Sequence, residues 1–470
     1  MPGRRYDAVS RKVGPLFVCA LIVLCGYARE EGTKVHAGEY RVAPFEADIT
    51  IPIGHACMGG CIAPAKEIVD PLFAKGCVLL GTELSVVVIA LDRCRCNNDS
   101  YDRWRDVLAD AAGTTRQRVM LSTVHQHDAP TCDLTAQKLL DRYGLTGYIC
   151  GPQFHERAVQ RTAAALKEAL KSPRRVTHFG IGQAKVDRIA SNRRVVSPKG
   201  EISWRRGSSN ENIYDASEGE IDPWLKTISL WDIDDPVVAW SCYAVHPMSF
   251  YGRGGVSADF PGMARVRRQQ GDSGIFQIYF TGCAGDTTAG KYNTSDPANR
   301  PVLADRLYQG VRSAWESTKR QPLKRVDFRI AQMSLPVRQG ENFTVEATQK
   351  VLADPEAGRC SRINAARMLS WRRRVESGQR VDVPCLDLSE GMALFSILRA
   401  ESFVAYQLIA QQLRPDSFVV VAGYGDGGSG CIPTDQCWKE GYRNNNCWVP
   451  PMTQELVTKV MAQTLGANKP

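Results

Sequence analysis

The chain reads as an α/β protein, one large domain with mixed β-sheets and flanking helices, on three observations. Short apolar runs that end in Gly, Pro or Asp alternate with amphipathic segments through most of its length. Hydrophobic residues make up 43% and charged residues 23% of 470, the balance of a folded globular protein rather than a disordered one. Pro and Gly are dispersed through turns, and no linker, heptad, repeat period or low-complexity tract interrupts the pattern.

The amino terminus stands apart. Arg4, Arg5, Arg11 and Lys12 precede the apolar run "GPLFVCALIVLCGYA", and Gly26 and Ala28 are small residues of the kind that precede a cut. Residues 1–28 therefore read as a signal peptide, and 36–470 as the one large domain. The run is short for a bilayer span of ~20 residues, so export to a secreted or periplasmic location is expected, with an uncleaved anchor as the alternative. The sixteen cysteines suit an oxidising compartment, and no CxxC pair marks a zinc ribbon or redox centre.

After residue 36 the elements follow in order. "EADITIPIG" reads as a strand and "KGCVLLGTELSVVVIALD" as two more joined by a turn. "YDRWRDVLADAAG" has helical spacing, and "RVMLST" is the next strand. "HERAVQRTAAALKEALKS" is a helix with a basic end, where positive charge complements the dipole. "VTHFGIGQAKV", "LKTISLWDI", "PVVAWSCYAVH" and "GIFQIYFTG" are strands, with "DFPGMARVRRQQG" and "NRPVLADRLYQGVRSAWESTK" as helices among them. From about residue 325 the pattern recurs in kind, with "RVDFRIAQMSLPV", "GMALFSILRAES" and "SFVVVAGYGDGG" as strands. The net charge of +9 is scattered. Its one cluster, Arg372, Arg373 and Arg374, reads as a solvated helix face, so a nucleic-acid partner has no support.

The chemistry-bearing residues sit where open α/β sheets build their sites, just past strand ends. "VHQHDAP" places His125 and His127 there, and period-2 alternation puts both imidazoles on one face. A solvated loop with two surface histidines is the alternative. His246 ends "VVAWSCYAVHP", and Asp286, Thr287 and Thr288 follow in the Gly-rich "GCAGDTTAG". Glu401 is expected to open the helix "AESFVAYQLIAQQL", and "GYGDGGSGC" surrounds Asp426 with glycines.

The ordered set "DITIPIG", "IVDPLFAKGCVLL", "VMLSTVHQHDAP", "SNRRVV", "EIDPWLKTISLWD", "AVHPMSF", "VSADFPGMA", "GCAGDTTAG", "RAES" and "AGYGDGGSGCIPT" resembles the amino-terminal catalytic domain of the neutral/alkaline, non-lysosomal ceramidases. No counterpart of the family's carboxyl-terminal immunoglobulin-like domain is expected. The resemblance implies a zinc hydrolase of an N-acyl bond in sphingolipid metabolism, with an N-acyl or lipid substrate and contact with a membrane periphery. It implies zinc on His125, His246 and Glu401. His127 is implied on the substrate, and Arg193 and Tyr442 beside the reacting carbonyl. Where the family has a tyrosine ligand this chain has Cys431, with Tyr424 the nearest tyrosine that could substitute. Where the family has a serine, sometimes proposed as a nucleophile, this chain has Thr288.

The chemistry is coherent on its own terms. Two neutral imidazoles and a carboxylate leave a tetrahedral zinc with an open position for water that ionises near neutral pH. An arginine or tyrosine donor suits the oxyanion, and His127 a proton shuttle. Two other readings stay open at this level: a catalytically silent binding protein on the same scaffold, and a metallo-esterase without lipid preference. For Cys431 a disulfide with Cys437 or Cys447 is the favoured expectation over a zinc thiolate.

Overall fold

The structure is a computed structural model that describes residues 40–205, 215–442 and 446–467. The segment read as a signal peptide lies outside them. Three sheets carry the fold, and each is built in the same way.

The first has five strands. Its main members are β1 (Arg41–Asp48), β2 (Phe73–Leu80), β3 (Val86–Leu91) and β4 (Val119–Thr123). β1, β2 and β3 run antiparallel in turn, and β3 pairs parallel with β4. The second, also of five, contains β5 (His178–Lys185), β6 (Trp224–Asp232), β7 (Asp235–Tyr243) and β8 (Phe276–Thr281), again antiparallel until β7 meets β8 in parallel. The third has four strands, β9 (Val326–Met333), β10 (Val381–Leu388), β11 (Ala393–Ile397) and β12 (Phe418–Ala422), with β11 and β12 parallel.

A parallel pair needs a crossover, and each sheet supplies one helix for it. These are α1 (Asn98–Ala112) between β3 and β4, α2 (Asp259–Arg268) between β7 and β8, and α3 (Val404–Leu413) between β11 and β12. The carboxyl ends of all three last strands are laced together. Thr123 N–H donates to Tyr424 O at 2.9 Å, and Gly423 N–H donates to Thr281 O at 2.9 Å. Ser122 Oγ donates to Gly423 O at 2.7 Å and Thr281 Oγ1 to Val124 O at 2.7 Å.

Alternation within the strands builds the layers. Val86, Val88 and Ala90 of β3 join Trp240, Ile278, Phe280, Phe395, Ile397 and Val420 in one core shared by the three sheets. Val87, Ile89 and Leu91 face the other way, onto Trp104 and Leu108 of α1. A strand buried on both faces must be apolar throughout, which is why "VVVIAL" shows no alternation. On the outside of the third sheet, Leu394, Val419 and Val421 pack with Tyr406 of α3 and Trp371 of the helix Arg359–Glu376.

Three expectations need correction. The strand expected in "EADITIPIG" lies mostly upstream, because the Asp48 carboxylate accepts from Thr50 N–H at 2.7 Å and turns the chain out of the sheet. Glu401 does not open a helix. Its N–H donates to Gly430 O at 3.2 Å, Glu401–Ser402 pairs in parallel with Cys431–Ile432, and α3 starts later, at Val404. The arginine cluster is not a solvated face either. Arg373 is exposed, but Arg374 is buried on Asp102 at 2.7 Å and lies 3.4 Å from Asp426.

Candidate metal centre

His125 is set two residues past the end of β4, and Tyr424 two residues past the end of β12. Both have positive φ, 73° and 58°, a conformation that a non-glycine residue holds only when its surroundings impose it. Here the lacing of β4 to β12 imposes it, and the two rings stack with centroids 4.2 Å apart. The left-handed turn at His125 also ends the strand, so period-2 alternation does not carry through to His127. The two imidazoles meet edge to face, with centroids 5.6 Å apart.

His246 arrives from the end of β7. Its N–H donates to Thr287 O at 2.9 Å, and it bridges to Thr288 in parallel. Glu401 arrives from the end of β11. Gly285 packs against it so closely that a Cβ there would lie 2.3 Å from Glu401 O, which explains the glycine in "GCAGDTT". The donor atoms of His125, His246 and Glu401 lie within 4.8 Å of one another, and all three residues are buried.

Each of the two imidazoles is oriented through its other nitrogen. His125 Nδ1 lies 2.5 Å from Cys94 O, and His246 Nδ1 lies 3.2 Å from Ala284 O. A carbonyl accepts, so Nδ1 carries the proton and Nε2 keeps its lone pair, the tautomer a metal needs. His125 Nε2 is buried with no hydrogen-bond partner among the described residues. A buried lone pair without a donor is costly, and a cation is what this chemistry would accept. The residues fit a metal cation.

Burial dominates the protonation of the histidines. His125 and His246 are held well below the ordinary value by burial, reinforced by Arg95 at His125 and by the neighbouring imidazole at His246. Burial and Arg193 push His127 down to about 3. All three are neutral at neutral pH. His127 Nε2 lies 3.0 Å from His246 Nε2, and its ring meets Tyr251 edge to face at 4.4 Å.

Arg193 Nη1 donates to Gly285 O at 3.1 Å, while its Nε is buried without a partner among the described residues. Its charge reaches all three histidines. Tyr442 packs against Trp204 and Phe403, with centroids 4.7 and 5.5 Å away. Thr288 Oγ1 accepts from Gly290 N–H at 3.0 Å. Asp286 has a tying role: its carboxylate accepts from Val404 N–H at 2.8 Å and from Asn192 Nδ2 at 3.0 Å. The Tyr424 hydroxyl oxygen lies 3.2 Å from the protonated Nδ1 of His246, on the opposite side of the ring from the Nε2 that faces His127.

The expected disulfide at Cys431 is absent. Among the described residues Cys431, Cys437 and Cys447 stand outside any disulfide, and the one formed joins Cys61 to Cys360. Cys431 Sγ donates instead to Glu401 Oε2 at 3.5 Å.

Two residues escaped the sequence reading. Arg95 makes an ion pair with Glu401, and Cys94 both supplies the carbonyl for His125 and belongs to a second donor group with His125 and His127. That group shares His125 with the first and needs a thiol that burial holds protonated, so the carboxylate set is the better cation site. "DRCRCNN" follows the end of β3 as "VHQHDAP" follows β4, and the strand-end rule applied to it marks Arg95.

Known structures share this fold. A ceramidase complexed with C2 superposes with a TM-score of 0.65 at 15% identity, over 91% of this chain and 75% of that one. Neutral ceramidase from Pseudomonas aeruginosa gives 0.62 at 15%, over 91% and 74%. No family model and no curated protein sequence matches the chain. At this identity the likeness is one of fold, and in fold the chain resembles neutral ceramidases.

Proposed function

We propose that the protein is an exported, zinc-dependent amidohydrolase that cleaves the N-acyl bond of a lipid amide such as ceramide. The observation that carries this reading is the convergence of His125, His246 and Glu401 from three different sheets, with a buried Nε2 that has no donor. The shared fold with neutral ceramidases supports the substrate class. The Cys61–Cys360 disulfide supports an oxidising compartment.

Zinc held by these three residues would supply a Lewis acid and an acidified water for addition to the amide carbonyl. The rest belongs to the chain. Arg193, fixed through Nη1 and with Nε unpaired, is the donor for the developing oxyanion. His127 is neutral and can take a proton from the incoming water and return it to the amine nitrogen as the C–N bond breaks. A carboxylate and a free amine leave. Thr288 is hydrogen-bonded as a turn residue and is not needed as a nucleophile.

One observation favours a second reading, a catalytically silent binding protein: the Arg95 guanidinium lies on Glu401, a cation already on the carboxylate. Zinc analysis of the purified protein, with turnover of short- and long-chain N-acyl substrates before and after chelation, separates the two. About one zinc per chain and zinc-restored turnover is the expected result. A chain that binds no zinc and turns over neither substrate is the silent protein.

A further inference from the structure

Fourteen large apolar side chains are exposed among the described residues, and six of them, Ile53, Ile68, Val69, Tyr251, Met263 and Val266, lie on segments in mutual contact. Gly54 N–H donates to Ala65 O at 2.7 Å, which sets the Ile53 turn beside the strand Glu67–Ile68. That strand pairs in parallel with Gly255–Val256, and a Cβ on Gly255 would lie 3.0 Å from Val69 Cγ2. Asp70 accepts from Ser257 Oγ at 2.6 Å and from Ala258 N–H at 2.7 Å, joining this edge to the start of α2. There a groove of about 700 Å³ runs between Pro71 and the exposed Met263 and Val266. Ile53 is 60% and Val69 54% exposed, more than the core of a soluble surface requires.

Tyr251 ties the patch to the metal centre: it precedes the Gly255–Val256 strand, and its ring meets that of His127 edge to face at 4.4 Å. It is also flanked by charge. Lys66 and Arg253 are exposed and form no ion pair among the described residues. The facing acids are Glu67, exposed, Asp70, already hydrogen-bonded, and Glu46 of the groove, paired with Lys75; Arg267 nearby is paired with Asp305 at 2.7 Å. Apolar side chains with an amphipathic tyrosine among them and two free cations at the edge suit the interface of a bilayer. The aliphatic groups enter the acyl boundary and the cations reach phosphate.

We propose that this face, Ile53 with the 66–71 edge, Tyr251 and the exposed side of α2, docks the protein on a phospholipid surface, so that its lipid-amide substrate passes from the bilayer to the metal centre past Tyr251. The inference rests on the lipid-amide reading for its substrate, but not for the docking itself.

The test is co-sedimentation of the full chain with phosphatidylcholine vesicles carrying a minority of phosphatidylserine, alongside turnover of a short-chain soluble and a vesicle-embedded N-acyl substrate. Ile53→Ser with Val69→Ser should weaken vesicle partitioning by at least about tenfold, given the apolar area two such side chains lose. Turnover of the soluble substrate should stay unchanged while that of the embedded one falls in step with binding. Lys66→Gln with Arg253→Gln should weaken binding at low salt and flatten its salt dependence. Wild-type protein that does not sediment with vesicles, or a double serine variant that sediments equally well, overturns the proposal. So does a dimer in solution that the serine variant dissociates while vesicle binding is absent, because a second copy then covers the face. Vesicle binding that the variant loses, in a protein that hydrolyses neither substrate, leaves the docking surface standing and removes the enzymatic reading instead.

Discussion

The first and third sheets place their residues on one plan and put opposite chemistry on it. Arg95–Cys96 pairs in parallel with Thr131–Cys132 after the first crossover, and Glu401–Ser402 pairs in parallel with Cys431–Ile432 after the third. The second sheet has the same feature reduced to the His246–Thr288 bridge. Arg95, His246 and Glu401 are thus equivalent positions, as are Thr131, Thr288 and Cys431. His125 and Tyr424 are equivalent too, and they stack. The difference teaches why the two walls of the centre are unequal. The imidazole wall is held by backbone carbonyls at His125 and His246, which fix a neutral tautomer. The carboxylate wall is held by the charge of Arg95 and the thiol of Cys431, and both compete for the oxygens a metal would use.

The largest expected effects fall on the imidazole wall. His125→Ala and His246→Ala should each remove the metal and abolish turnover together, measured by elemental analysis beside activity. Full metal in either variant would break the assignment of that histidine. Stability should respond most at the support of the same wall. Arg265 makes two hydrogen bonds to Asp92, at 2.7 and 2.6 Å, both residues buried, and Asp92 leads into the segment whose Arg93 and Cys94 carbonyls hold His125. Arg265→Ala leaves that carboxylate unpaired and should cost about 3–5 kcal/mol in denaturant unfolding. A loss below about 1 kcal/mol would show that the segment is held by other means.

Arg193→Ala should keep its metal and lose roughly 10²-fold in rate, the usual cost of an oxyanion donor. Tyr442→Phe should show the same split if its hydroxyl reaches the carbonyl, and an unchanged rate confines it to packing on Trp204 and Phe403. Loss of zinc in either variant would move that residue to the metal.

A pH comparison sharpens the electrostatic half of the contrast. His127 drops from an ordinary 6.5 to about 3 in the fold, so keeping it neutral contributes stability that is full above about pH 6.5 and is lost as pH falls through about 3. Asp128 and Asp286, pushed up to about 6 by burial, titrate with the opposite sign. Melting chelator-treated wild type and His127→Gln at each pH cancels those groups. The variant should lose less stability than wild type between pH 6.5 and 3, and parallel curves would contradict the depressed value.

The smallest effects belong to the carboxylate wall. Cys431→Ser should leave zinc content unchanged and the rate within about threefold, since its thiol touches Glu401 rather than joining the donor group. Zinc lost from Cys431→Ser would make the thiolate a ligand after all. Arg95→Gln should retain zinc longer against a chelator by removing a competing cation, and faster loss would make Arg95 an essential support for Glu401.

Local patterning made much of this legible. Helical spacing located the crossover helices, and apolar runs located the parallel strands, because buried periodicity is written in adjacent residues. The strand-end rule drew His125 and His246 from the chain. It marks positions but does not name their partners when these are distant in sequence. Arg95 meets a residue of another sheet, and nothing near it in sequence shows that. Arg374 carries the composition of a surface residue and is buried only because Asp102 of α1 and Asp426 after β12 converge on it.

The sequence by itself determined the α/β class, the alternation of strands and helices, and the residue types at the strand ends, since these follow from short-range sterics and the period of apolar burial. Only the tertiary structure decided that three sheets share one plan, that His125 and Tyr424 stack in left-handed turns, and that Arg95 and Glu401 face each other. Those outcomes depend on hydrogen bonds such as Thr123 N–H to Tyr424 O, between residues far apart in the chain. Such pairing is selected by the packing of whole sheets around a shared core, a long-range condition that no local window of sequence contains.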